Sequence, residues 1–189
     1  MTDPDSSPGW WPSARRVVSP NADQRPHDEV SLLLIHAISL PPGQFHGAAI
    51  EALFTNRLDP QAHPYFAAIA HLRVSAHMLI RRDGECIQFV DTDRRAWHAG
   101  RSCWWDPNQL RWRKALNDFT VGIELEGDDA TSFTKAQYAH LAEAIKWLRA
   151  RYPAITPGRI TSHARVAPLR KTDPGPAFDW AYLHQQLAR

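Results

Sequence analysis

The stretch SLLLIH at residues 31–36 does more than any other part of the chain to decide the fold. It is a short, continuous apolar run, followed by the loop signal Pro-Pro-Gly at 41–43, and it predicts a buried strand. A second β-like run, FTVGIELE at 119–126, ends where a Gly-Asp-Asp sequence begins and predicts another strand. The chain therefore has at least two strands suited to the interior of a domain.

The clearest helix is predicted at residues 134–152. Its first residues, Thr134-Lys135-Ala136-Gln137, have the form of a capping box with the threonine as N-cap. Apolar residues then recur on one face at helical spacing, and Pro153 ends the helix. Before it, the runs at 73–80 and 86–90 flank an Asp-Gly turn and predict a β-hairpin. Strands and helices thus interleave around one core, which predicts an α/β (α+β) fold with a central sheet.

The chain length of 189 residues suits one domain. Residues 1–30 are rich in Pro, Asp, Ser and Arg, and they predict an irregular N-terminal arm. Trp10 and Trp11 would pin that arm to the body, which we place at residues 31–189. Residues 101–117 are polar and aromatic without a clean period, so we predict a surface loop there.

Composition and charge exclude several classes of protein. The net charge is +2, with Lys and Arg spread along the chain, so we expect no nucleic-acid partner. No window approaches the roughly 20 apolar residues of a membrane span, and the first residues lack the apolar core of a signal peptide. We therefore expect no membrane partner, a cytoplasmic location and a monomer. Cys86 and Cys103 form no Cys-x-x-Cys motif, which argues against a thiolate zinc site.

Ten histidines favour a metal or acid–base site without locating it. His36 stands at the end of a predicted buried strand, where sites in α/β proteins collect, but a core histidine bonded to backbone would look the same. His163 precedes a rigid, proline-containing segment in which Lys171 and Asp173 point to the same side. These two side chains are either a surface ion pair or a metal ligand beside an electrophilic group.

Further polar residues in predicted strands are open to two interpretations. Glu124 and Glu126 share one face of their strand, which is either solvated or lines a site where one carboxylate is a general base. Arg73 could clamp a carboxylate, whereas the nearby His77 is most simply a half-buried histidine. Trp97, together with the histidine that follows it, could form an aromatic wall for a sugar or belong to the core.

Seven segments, read together, resemble the AmpD group of type-two N-acetylmuramoyl-L-alanine amidases over almost the whole chain. In order, they are GWWPSARRVVSPNADQRP, SLLLIHAISLPPGQF, LDPQAHPYF, HLRVSAHMLIRRDG, RAWHAG, NDFTVGIELEG and SHARVAPLRKTDPGPAFDW. Each is modest alone, but their number and order make a chance match remote. The resemblance implies a single domain with a central mixed β-sheet flanked by helices, the amidase-2 fold shared with peptidoglycan-recognition proteins.

The resemblance also implies a chemistry. The zinc ligands of the family fall on His36, His163 and Asp173, which would hold one Zn²⁺ per chain. Two histidines and one carboxylate leave a fourth position for water, the pattern of a catalytic zinc site. The catalytic glutamate and lysine of the family fall on Glu124 and Lys171. We expect the first to move the proton of the attacking water and the second to stabilise the tetrahedral oxygen.

The implied reaction is hydrolysis of the amide between (1,6-anhydro-)N-acetylmuramic acid and L-alanine of the stem peptide, in peptidoglycan recycling. The partner would be a small muropeptide. On the substrate side, the resemblance points to Arg73 and His77. It also points to Trp97, Ala99 and Arg170 on the pocket wall.

Three departures from the family pattern bear on substrate details. Ala37 stands where relatives usually have asparagine after the first ligand, Arg165 adds a basic group near the rim, and residues 101–116 are unusually aromatic. Two rival functions are a non-catalytic peptidoglycan-recognition module and a lytic amidase acting on intact cell wall. The filled catalytic positions argue against the first, and the lack of a visible leader or wall-binding domain argues against the second.

Overall fold

The computed structural model describes residues 8–189, and within them it has ten strands and five α-helices. In chain order the strands are Arg15–Arg16 (β1), Ala22–Gln24 (β2), Leu32–Ile38 (β3), Met78–Ile80 (β4), Cys86–Gln88 (β5), Arg94–Ala96 (β6), Trp104–Asp106 (β7), Arg111–Arg113 (β8), Thr120–Glu126 (β9) and Ile160–Ser162 (β10). The helices are Ala49–Phe54 (α1), Pro64–Ile69 (α2), Lys135–Arg151 (α3), His163–Val166 (α4) and Trp180–Leu187 (α5).

Six of these strands form a mixed sheet in the order β1-β5-β4-β9-β3-β10. Only the β4–β5 pair is antiparallel, and the other four neighbouring pairs in this sheet are parallel. The prediction of a central mixed sheet flanked by helices is therefore confirmed. The predicted hairpin is confirmed as well, since Met78 pairs with Gln88 and Ile80 with Cys86.

Both faces of the sheet are covered, because the two central strands are apolar on both sides. Leu33 and Ile35 of β3 pack against α3 and α5, while Leu32 and Leu34 pack in a smaller cluster on the opposite face. All four side chains are fully buried. The apolar run in the sequence thus reports a strand covered on both sides. Helices α1 and α2 cover the opposite face nearer β4 and β5.

Helix α3 begins as the sequence predicts. The Thr134 hydroxyl accepts a hydrogen bond from the Gln137 backbone N–H, and the Gln137 side chain accepts one from the Thr134 N–H, at 3.1 and 3.0 Å. This capping box satisfies two N–H groups that the first turn would otherwise leave free. The helix then lays an apolar stripe on the sheet through Leu141, Ile145 and Leu148.

The described part of the N-terminal region, residues 8–30, includes two short strands. Strand β1 joins the edge of the main sheet beside β5, and β2 pairs with β6. Trp11 is buried, and its ring lies 6.3 Å from that of Trp147 on α3. Residues 1–7 of the predicted arm lie outside the described residues, and the domain boundary at residue 30 stays a prediction.

One local prediction is wrong. Within residues 101–117, predicted as a surface loop, β7 and β8 pair antiparallel with Trp105 opposite Trp112. The two indole rings contact edge to face, with their centroids 5.8 Å apart. A search for helical or alternating periodicity in the sequence does not detect such a cross-strand aromatic pair. Across residues 8–189, no helix has both the length and the apolar character required to span a bilayer.

Candidate active site

The carboxyl ends of three parallel strands meet at one edge of the sheet and bring the predicted ligands together. His36 lies near the end of β3, on the face opposite α3. Ser162 of β10 is level with Ile35, so the next residue, His163, emerges beside His36 and begins α4. Asp173 follows on the loop after α4, and its backbone carbonyl accepts a hydrogen bond from the Ala164 N–H at 2.9 Å.

The three side chains converge on one point. The Nδ1 atoms of His36 and His163 are 3.0 Å apart, and Asp173 Oδ2 lies 3.1 and 3.0 Å from them. Tetrahedral ligands with zinc bonds of 2.0–2.1 Å are about 3.3 Å apart, so the spacing suits a common Zn²⁺ ion. Among the described residues, these three form the one His, Cys, Asp and Glu group that is close enough to share a metal.

The protonation states also fit a metal site. Burial lowers the pKa of His36 to about 4, against the opposing effect of its hydrogen bond to Asp173. Burial alone would raise the pKa of Asp173, but hydrogen bonds with His163 and His36 hold it well below its usual range. The site therefore offers a neutral imidazole and an ionised carboxylate, the forms that bind metal ions.

Glu124 lies next to the candidate ligands on strand β9. Glu124 of β9 lies directly beside His36 of β3 in the sheet register, so both side chains project from the same face. Its Oε2 atom is buried and has no hydrogen-bond partner among the described residues. Burial raises the pKa of this carboxyl well above its usual value, Asp173 adds to the effect, and Lys171 opposes it. An unpaired carboxyl with a raised pKa is suited to accept a proton.

Glu126, two residues further along the same strand, differs from Glu124 because both of its carboxylate oxygens accept hydrogen bonds. Its two oxygens accept hydrogen bonds from the backbone N–H groups of His46 and Arg82, at 2.7 and 3.1 Å. It is almost fully buried and ties two loops to the end of β9. Of the two glutamates that share this face, the structure leaves only Glu124 with a free acceptor.

A cleft of about 700 Å³ opens over these groups. His36, His163, Asp173 and Glu124 line it, together with Lys171. Apolar residues of α1, α2 and the segment after α2 form another part of its wall: Leu53, Phe54, Ile69, Leu72 and Val74. The cleft therefore joins a polar, metal-binding end to an apolar wall.

Only two of the predicted substrate-binding residues line the cleft. Trp97 and Arg170 line the cleft, and the Arg170 guanidinium donates hydrogen bonds to the carbonyls of Ala99 and Arg101, each at 3.0 Å. The structure does not place Arg73 or His77 in the cleft wall.

Arg73 and His77 are engaged elsewhere. Arg73 is exposed and donates only long hydrogen bonds, of 3.4–3.5 Å, to nearby backbone carbonyls. His77 is fully buried. Its Nδ1 accepts from the Gly122 N–H at 3.0 Å, which leaves Nε2–H to donate to the Arg94 carbonyl at 3.1 Å. His77 thus makes internal polar contacts just before β4, and it is more deeply buried than the half-buried histidine that the sequence predicts.

His98 is the residue whose place the sequence did not reveal. The sequence suggests for it only a part in an aromatic wall, but its Nδ1 lies 3.0 Å from His36 Nε2, and its Nε2 lies 3.1 Å from Thr120 Oγ1. The only hint in the sequence was its place beside Trp97. A hydrogen bond between residues far apart in the chain leaves no local sequence pattern.

Comparison with known proteins gives a consistent result. The family model described as N-acetylmuramoyl-L-alanine amidase matches residues 26–176. The 1,6-anhydro-N-acetylmuramyl-L-alanine amidase AmpD of Citrobacter freundii is 59% identical over 174 residues, which cover 92% of this chain and 89% of that protein. A crystal structure of a selenomethionine AmpD derivative aligns with a TM-score of 0.90 and 55% identity, covering 96% of this chain and 98% of that one.

A more distant structure carries a ligand. It is the N-acetylmuramyl-L-alanine amidase AmiD from Escherichia coli in complex with the substrate anhydro-N-acetylmuramic acid-L-Ala-D-γ-Glu-L-Lys. It aligns with a TM-score of 0.59 and 28% identity, covering 90% of this chain and 59% of that one. Because the family model spans most of the sequence and the fold agrees throughout, this chain belongs to the N-acetylmuramoyl-L-alanine amidase family.

Proposed function

We propose that this protein hydrolyses the amide between the lactyl group of (1,6-anhydro-)N-acetylmuramic acid and L-alanine of the stem peptide, in peptidoglycan recycling. The observation that carries the proposal is the convergence of His36, His163 and Asp173 beside the unpaired carboxyl of Glu124 in one cleft. The names of the relatives support the substrate, since the Citrobacter freundii protein is named for this anhydro-muramyl amide.

In this proposal His36 Nδ1, His163 Nδ1 and Asp173 Oδ2 would hold one Zn²⁺. Two imidazoles and one carboxylate are the protein ligands of a common class of catalytic zinc site. When bound, Zn²⁺ would supply Lewis-acid chemistry by polarising the scissile carbonyl and lowering the pKa of a water ligand.

Glu124 is the proposed general base and acid. Its free Oε2 takes a proton from the attacking water, and it later delivers that proton to the nitrogen of the departing L-alanine. The raised pKa favours this exchange, because a carboxylate whose pKa lies closer to the working pH accepts the proton of water more readily than an ordinary carboxylate, and its protonated form can then donate that proton to the leaving nitrogen.

Lys171 lines the same cleft and would supply a positive charge there. Its ammonium is close enough to Glu124 to oppose the rise in that carboxyl's pKa. We propose that it stabilises the negative charge that develops on the carbonyl oxygen as water adds. A group of this kind acts mainly on the transition state, so it should contribute to kcat more than to KM.

The wall of the cleft suits a sugar peptide. The indole of Trp97 and the apolar side chains of α1 and α2 offer surfaces for a pyranose ring and for the alanine methyl. We retain Trp97 and Arg170 as substrate contacts in this proposal. For Arg73 and His77 the substrate role stays a prediction, as do the cytoplasmic location and the monomeric state.

Product analysis in H₂¹⁸O tests the proposal. Purified protein is incubated with an anhydro-muropeptide and, separately, with intact sacculi, and the products are identified by mass spectrometry. We expect free stem peptide and an anhydro-muramic acid that carries ¹⁸O in its lactyl carboxylate, formed faster from the soluble fragment. Binding without cleavage would identify a recognition module, and faster cleavage of sacculi would identify a lytic amidase.

A further inference from the structure

The residues directly after β6, Trp97–Gly100, contact both candidate histidine ligands from behind; we call them the WHAG segment. His98 Nδ1 lies 3.0 Å from His36 Nε2, and the Ala99 carbonyl oxygen lies 3.2 Å from His163 Nε2. In both histidines, this is the ring nitrogen that faces away from the shared ligand point.

These contacts specify a tautomer. A histidine that binds a metal through Nδ1 must carry its proton on Nε2, which then needs a hydrogen-bond acceptor. The Ala99 carbonyl can only accept, so it favours this tautomer at His163; the Arg170 Nη2 atom lies farther from the same nitrogen, at 3.4 Å, and itself donates to the Ala99 carbonyl. At His36 the acceptor is His98 Nδ1, provided that the proton of His98 is on Nε2. Thr120 Oγ1 lies 3.1 Å from that atom and can accept its proton.

Two further features hold the WHAG segment in place. The Asn117 side-chain carbonyl accepts hydrogen bonds from the backbone N–H groups of His98 and Ala99, at 3.2 and 2.8 Å. Gly122 of β9 lies directly against the His98 ring, and a Cβ atom there would come within 2.5 Å of Nδ1. A larger residue at Gly122 would push the ring away, so the position of His98 is set from two sides.

We propose that the WHAG segment is a positioning device: His98 and the Ala99 carbonyl orient the two histidines for metal binding, and Asn117 holds the segment against them. His98 is thus a positioning residue that acts through His36. This inference rests on the metal site in the proposed function, but it concerns a separate set of residues. Groups that orient metal-binding histidines typically change metal affinity about 10–100-fold when they are removed.

Variants that differ in one acceptor atom separate this role from simple packing. Asparagine at position 98 places an amide oxygen near the former Nδ1, glutamine places its oxygen nearer the former Nε2, and leucine has the size of asparagine without an acceptor. Packing alone predicts that His98→Asn and His98→Leu behave alike. The positioning role predicts that only His98→Asn retains the contact with His36.

The experiment measures the affinity for Zn²⁺ alone, by competition with a chromophoric chelator, on metal-free protein. We expect His98→Leu and His98→Gln to bind Zn²⁺ about 10–100-fold more weakly than wild type, and His98→Asn to stay within about threefold. Asn117→Leu and Gly122→Ala should also weaken binding. Thermal unfolding of the metal-free proteins shows which variants are folded, and if His98→Leu is not, the Asn and Gln variants still decide.

The outcomes are distinct from those of the proposed function. Wild-type protein that binds no Zn²⁺ overturns the metal site, and with it the present inference. Tight binding by wild type with equal affinity in His98→Gln and His98→Asn overturns the positioning role alone. Weak binding by His98→Asn as well as His98→Leu would also overturn it, because shape rather than the Nδ1 acceptor would then control the site.

Discussion

Replacement of Glu124 by glutamine removes a proton acceptor and leaves the shape of the site intact. Glu124 Oε2 has no partner among the described residues, so no structural hydrogen bond is lost with the charge. It is also not among the three atoms that converge as metal ligands. A positioned general base contributes about 10²–10⁴-fold to rate. We therefore expect kcat to fall by that factor, which raises the barrier by about 3–5 kcal/mol.

The assay follows release of stem peptide from an anhydro-muropeptide, with bound zinc measured on the same samples. Glu126→Gln is a matched control, because Glu126 lies two residues away on the same face of β9. Its oxygens accept from the His46 and Arg82 N–H groups, so the control should lower the free energy of unfolding by about 1–3 kcal/mol and leave kcat of the folded protein near wild type.

Three results would refute this reasoning. Near-normal kcat in Glu124→Gln would show that another group moves the proton. Loss of zinc in the same variant would show that Glu124 belongs to the metal site itself. A fall in kcat that Glu126→Gln reproduces in fully folded protein would point to a general loss of charge at this face of the sheet.

Two further predictions follow from single contacts. Lys171→Met keeps the length of the side chain without its charge, so we expect kcat to fall about 10²–10³-fold with zinc content unchanged; a change confined to KM would contradict the proposed role. Thr134→Ala removes the hydroxyl that caps α3 and should lower the free energy of unfolding by about 1 kcal/mol in denaturant titrations. Zinc affinity and kcat should stay at wild-type values in that variant, and a loss of either would mean that α3 bears on the site.

Much of the fold could be predicted because its signals are local. The apolar run at 31–36, the capping box at Thr134 and the Asp-Gly turn each involve residues close in sequence, and each corresponds to an observed element. Strand order is different, since it depends on pairs such as His36 with Glu124, which are far apart in the chain. The β7–β8 hairpin escaped prediction because residues 101–117 are polar and aromatic without a clean period.

In the candidate site, too, contacts between residues far apart in sequence could not be predicted from local spacing. Spacing alone left open whether Asp173 forms an ion pair with Lys171, whereas the structure binds its carboxylate to His36 and His163. Spacing also could not separate Glu124 from Glu126, because both lie on one face of β9. The difference arises from backbone N–H groups of other loops, which occupy only Glu126.

The resemblance to the amidase family assigned some of the site residues that spacing alone left open, but not all of the contacts in the site. It assigned the three ligand positions, and the structure brings all three side chains to one point. It named Ala99 for the pocket wall but gave no indication that His98 and Ala99 contact the outer nitrogens of the two histidines, because those contacts join residues far apart in the chain.

The central claim is that a zinc ion held by His36, His163 and Asp173 is required for amide hydrolysis. The most direct test removes metal from the protein with a chelator and returns Zn²⁺ stepwise while stem-peptide release from an anhydro-muropeptide is measured. We predict no turnover without metal and full recovery at one Zn²⁺ per chain. Full turnover by zinc-free protein, or no turnover with the site filled, would contradict it.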